Sequence, residues 1–192
     1  MQVSKRRFSL RERTSHLHAA VDAAVGSFET TQDYGRYLCG IHRFRADVEV
    51  GLTGMAWPST FGGWRPQAVA SLAAADLDDL QLNQRSGFSV VFDLADRSRL
   101  AGALYVCEGS SLGARVLYAR AQGLVLSETF GDRHLARQAN GLENWRGFLA
   151  ILDGMADFDL DALSLGLQSS DAAGDVFRHA AHAFEDGARH AA

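Results

Sequence analysis

Tyr105-Val-Cys-Glu-Gly-Ser-Ser-Leu-Gly-Ala-Arg115 places two glycines, Gly109 and Gly113, four residues apart inside the longest helical pattern of the chain. That pattern covers residues 96–122, from Ser98 through Leu104, Val106, Leu112, Val116 and Leu117 to Gly123. Residues four apart stack on one helix face, and Gly102 and Val106 continue the ridge toward the N-terminus. Each glycine inside a helix costs roughly 1 kcal/mol relative to alanine. With Ser110 and Ser111 between them, the segment is intrinsically weak and easily bent. Something must compensate. A second helix packed into the groove would do so, and so would a flat ligand lying on the bare backbone. The spacing leaves both open. It is a membrane signal only within an apolar run of about 20 residues.

No such run exists. The longest stretch without Asp, Glu, Lys or Arg is Val50–Trp64, 15 residues with one proline and four glycines, so no membrane-spanning helix is expected. Pro58 and Pro66, the two prolines, lie close together, and the rest of the chain is free to be helical. Apolar residues at Phe8, Leu10, Leu17, Val21, Val25 and Phe28 predict a helix over 8–25. Tyr34, Tyr37, Leu38, Ile41, Phe44 and Val48 predict another over 31–50, with Thr30 or Thr31 as N-cap. Residues 51–65 read as a loop, and Pro66 suits the first turn of a helix ending near Leu80. Residues 83–95 read as an extended or short helical connection. Residues 132–154 are helical, with a possible interruption at Asn140-Gly141, and 170–190 are helical with Ser170 as N-cap. The sum is an all-α domain of six to eight helices.

The 192 residues, 47% of them apolar, make one domain over 1–192 that folds without disulfide or structural metal. Cys39 and Cys107 make at most one bridge and fit a reducing, cytoplasmic setting. The net charge of −4 is uneven. Residues 1–13 carry five basic side chains against Glu12, and the remainder is acidic by eight charges. An acidic body argues against nucleic acid as a partner. Residues 1–8 read as a basic, flexible arm, and without an apolar run they make no secretory signal.

The helix Leu10-Arg-Glu-Arg-Thr-Ser-His-Leu-His18-Ala-Ala-Val-Asp22 sets His18 at the edge of its apolar face. Thr14 lies one turn before it and Asp22 one turn after. A histidine at such an edge is either a packed residue or a ligand. As a ligand it would hold iron through one ring nitrogen, and Asp22 is placed to accept from the other, directly or through water. His16 lies about 200° round the helix and cannot share a metal with it. His179 and His182 are three apart and form a possible metal pair. There is no Glu-x-x-His, His-Glu-x-x-His or Cys-x-x-Cys, and the stretch around Glu108-Gly109-Ser110 lacks the strand–turn–helix context of a nucleophile elbow. Cys107 reads as a small packed residue.

Together the two segments resemble the heme oxygenase family, most closely its bacterial, biliverdin-producing, bacteriophytochrome-associated branch. Leu10-x-x-x-Thr14-x-x-x-His18-x-x-x-Asp22 is similar to the proximal helix, and Leu104-Tyr-Val-Cys-Glu-Gly-Ser-Ser-Leu-Gly113 to the distal helix. The resemblance extends from about Leu10 to Ala188. It implies the all-α heme oxygenase fold and an enzyme that cleaves heme, both substrate and cofactor, to biliverdin, carbon monoxide and ferrous iron. Electrons would come from a reductase or ferredoxin-like donor, and a bacteriophytochrome is an implied receiver of biliverdin. His18 is the implied iron ligand. Gly109, Ser110 and Gly113 would form the catalytic distal face. Arg11, Thr14, Asp22, Arg115 and Phe177 join His18 as implied heme-binding residues, with Arg13 and Arg178 as further cations for the propionates. Ser110 stands where animal members carry an acid, Ala114 where glycine is common, and Asp22 where glutamate is more usual. Two other readings share the fold: a heme-binding or sensing protein without turnover, and a non-heme, thiaminase-like enzyme using Cys107 beside Glu108.

Overall fold

The computed structural model of the protein describes residues 5–83, 90, 92–155 and 161–190. Among these, seven α-helices follow one another: α1 (Lys5–Val25), α2 (Thr31–Leu52), α3 (Ala70–Asp79), α4 (Arg97–Gln122), α5 (Arg133–Ala139), α6 (Leu142–Gly154) and α7 (Asp161–His190), with a 3-10 turn at Ser59–Phe61. The described residues contain no strand, and the domain is all-α. No described helix is long and apolar enough to cross a membrane.

Helix α2 starts where its chemistry says it should. Thr30 accepts from the Asp33 N–H and Asp33 accepts from the Thr30 N–H, a reciprocal capping box. Its apolar face, Tyr34, Tyr37, Leu38, Ile41, Phe44 and Val48, is buried throughout. The Asp96 carboxylate caps α4 by accepting from the N–H groups of Ser98 and Arg99.

Helix α7 is the spine, packed along α1, α2 and α4. Two glycines allow these crossings. A Cβ on Gly40 would stand 2.9 Å from the Phe184 Cα, and one on Gly102 would stand 2.9 Å from the Ala173 nitrogen and closer still to the Ser169 carbonyl oxygen. Tyr37 stacks on Phe184 at the first crossing, with ring centroids 5.7 Å apart. The short helices α5 and α6 close the other side of α4, and Asn140-Gly141 does break them apart.

Two expected helix starts are displaced. Pro66 does not begin α3, which starts four residues later. The intervening backbone is held by carboxylates from elsewhere: Gln67 N–H donates to Glu108, and the N–H groups of Val69 and Ala70 donate to Glu49. Glu49 thus caps α3 from α2. Ser170 is not an N-cap either, because α7 runs through it. Contact of the Ser169 backbone with Gly102 holds that segment helical against the local preference of paired serines. The expected basic arm falls partly outside the described residues, but from Lys5 onward it belongs to α1, and Arg7 pairs with Asp153 of α6 at 3.0 Å. Residues 84–89 and 91 of the expected 83–95 connection lie outside the described residues, and Phe92–Ala95 takes no regular structure.

Candidate functional site

A cavity of about 700 Å³ opens between α1 and the second half of α4, with α7 closing one end. That volume falls within the range of small-molecule and cofactor sites. His18 and Asp22 line it from α1, Gly109, Ser110 and Gly113 from α4, and Phe177 from α7. Most of the remaining wall is apolar, including Val21, Val25, Ile41, Phe44 and Leu117.

His18 Nδ1 lies 3.0 Å from Asp22 Oδ2, a direct contact one helical turn away. The shorter acid therefore needs no bridging water. The bond engages Nδ1 and leaves Nε2 for another partner. The ring rests 5.7 Å from that of Phe177, and its side chain is 60% exposed, so the histidine is not a buried packing residue.

On the opposite wall, a Cβ on Gly113 would meet nothing within 4 Å, and one on Gly109 would meet only the Trp145 ring at 3.6 Å. Neither glycine is required by a protein neighbour. Of the two compensations open at the level of sequence, helix packing is realised at one glycine, and the other two border open space. Gly102 is closed by α7, whereas Gly109 and Gly113 face the cavity. The Ser110 hydroxyl donates to the Cys107 carbonyl at 2.6 Å and accepts from the Gln138 amide at 2.8 Å.

Several expected residues stand elsewhere. Thr14 is buried, its hydroxyl donating to the Leu10 carbonyl at 2.7 Å, and it does not line the cavity. Arg11, Arg13 and Arg115 are exposed and do not line it either. Arg178 pairs with Asp175 on its own helix. Among the described residues, the one guanidinium in the cavity wall is that of Arg120, exposed at the end of α4. Its position three turns beyond Gly109 becomes meaningful only once the direction of the cavity is known. Gln138, on α5, also escaped sequence reading.

The back of α4 is polar and closed. Arg45 is fully buried and donates to Glu49, to the Cys107 carbonyl at 3.0 Å and to the Gln67 carbonyl at 2.6 Å. Glu108 accepts from the Gln67 N–H and the Asn144 amide, and burial holds its carboxyl above the usual range. Burial pushes the Cys107 thiol up to about 12. Cys107 and Glu108 do not line the cavity, so the geometry gives no support to a thiol–carboxylate enzyme. His179 and His182 face different carboxylates, Asp47 at 3.0 Å and Asp186 at 3.4 Å. Among the described residues no three His, Cys, Asp or Glu side chains form a metal site. A second buried cluster, in which His134 Nδ1 meets Asp76 at 2.8 Å and Tyr34 donates to Asp132 at 3.0 Å, ties α5 to α2 and α3.

No family model matches the chain. It is 35% identical over 148 residues, 74% of each chain, to the heme oxygenase PigA of Pseudomonas aeruginosa. Its fold is similar to that of the NO- and CO-bound heme oxygenase of Neisseria meningitidis, with a TM-score of 0.68 covering 93% of this chain and 89% of that one at 21% identity. With a fold of that kind and a relative this similar over three quarters of its length, the chain belongs to the heme oxygenase family.

Proposed function

We propose that this chain binds heme between α1 and α4 and cleaves it to biliverdin, carbon monoxide and ferrous iron, with oxygen and external electrons. The observation that carries the reading is the uncovered backbone at Gly113, facing a cavity whose other wall holds a carboxylate-braced histidine. Heme, when bound, supplies the oxygen-activating chemistry and is itself what is consumed.

The chain's own residues have four tasks. His18 ligates the iron through Nε2, while Asp22 fixes Nδ1 as the protonated nitrogen and sets the ring's direction. Gly109 and Gly113 let the backbone approach the macrocycle without a side chain between. Phe177 and the aliphatic wall exclude water from the apolar part of the ring. Arg120, at the rim, suits the charged propionates better than Arg11 or Arg115, which lie outside the wall. Electrons come from a reductase or ferredoxin-like protein in the cytoplasm, and a bacteriophytochrome is a fitting receiver of the biliverdin.

A hemin titration of the wild type and of His18→Ala, followed by ascorbate under air, tests this. The expected result is a stoichiometric Soret band that decays as biliverdin absorbance grows, with turnover lost in His18→Ala. Tight binding without bilin would instead make the protein a carrier or sensor, and no Soret band would end the heme reading.

A further inference from the structure

We propose that Gln138 is a positioning residue on the α4–α5 side of the cavity, its Oε1 the acceptor for a water that heme bound there would carry. This rests on the heme reading above. Ser110, the hydroxyl that the distal motif presents, is already committed. Its single proton goes to the Cys107 carbonyl at 2.6 Å, and it accepts the Gln138 Nε2–H at 2.8 Å. It has no proton left for the cavity.

Gln138 is in the opposite condition. With Nε2 donating to Ser110, the amide's acceptor lies on the other arm of the same planar group. Gln138 is only 3% exposed and lines the cavity, yet its Oε1 is buried without a hydrogen-bond partner. A buried carbonyl of this kind is retained where a donor completes it. A donor supplied from the cavity satisfies that need. Ser110 therefore acts through Gln138, fixing Nε2 as the arm that donates to it and Oε1 as the arm left without a donor. The Cys107 carbonyl that anchors Ser110 also accepts from buried Arg45, so the whole chain of contacts is rigidly based.

The test is the acid–alkaline transition of the water on ferric hemin, followed in the visible spectrum of the loaded protein. An acceptor binds the neutral water more strongly than the hydroxide and holds the midpoint up. Gln138→Leu should lower the midpoint by about half a pH unit or more. Gln138→Glu, which keeps an acceptor, should raise it above the wild type. Ser110→Ala, which frees the amide to turn, should lower it by less than Gln138→Leu. Soret intensity reports binding separately, because His18 is intact in all three. An unmoved midpoint in Gln138→Leu, or a rise, overturns the proposal and leaves the heme reading standing. A wild type that forms no Soret band overturns both.

Discussion

The two halves of α4 contain the same kind of residue for opposite reasons. In the first half, Gly102 is closed in by backbone from α7, with the Ala173 nitrogen 2.9 Å from where a Cβ would stand. In the second half, the space beside Gly113 is open, and Gly109 has only ordinary contact with Trp145. One glycine serves a neighbouring helix, and the others leave room for something that is not protein. Sequence spacing treats all three alike. The space beside each Cα separates them.

Substitution by alanine should make the contrast measurable. Gly102→Ala forces α7 away through contacts with backbone, which cannot rotate aside, and should cost about 3 kcal/mol in urea denaturation. An unchanged midpoint would show that the helices do not approach so closely. Gly113→Ala should do the reverse in the free protein, stabilising it by roughly 0.5–1 kcal/mol because alanine is the better helix former. Its hemin affinity should nevertheless fall by about tenfold or more as the methyl meets the macrocycle. Affinity equal to the wild type would remove the argument that the bare backbone is there for a ligand.

A smaller effect separates the closed face of α4 from its cavity face by pH. Burial raises the Glu108 carboxyl on the closed face of α4, against the bonds from Gln67 and Asn144. The folded state therefore holds a proton that the unfolded state releases at the ordinary carboxylate pKa. Stability should fall as pH rises from that value through the folded one. Glu108→Gln should flatten this decline above the ordinary carboxylate range, read as the difference in denaturation midpoint from the wild type. An equal slope in both proteins would mean that the carboxyl ionises in the fold as it does in the unfolded chain.

What the sequence makes legible is local. Thr30 marks the start of α2 because its cap partner is three residues away, and the periodic apolar residues from Tyr34 to Val48 are all buried. His18 and Asp22 are legible as a pair because one helical turn joins them, and the structure brings them together in the cavity wall. Contacts between distant segments leave no such trace. Pro66 reads as a helix start because nothing nearby shows that Glu49 caps α3 from another helix. Thr14 shares a helical row with His18, but the cavity begins only at His18, so the threonine turns back onto its own backbone. Gln138 meets Ser110 across 28 residues, and no spacing rule reaches that far.

The capping of α3 by Glu49 also makes one helix depend on another. A helix of ten residues without a side-chain cap of its own is not stable in isolation. Its first free N–H groups are satisfied only by a carboxylate on α2, which carries its own capping box and can form from local sequence. The N-terminus of α3 therefore depends on α2: whatever loosens Glu49 uncaps a second helix as well.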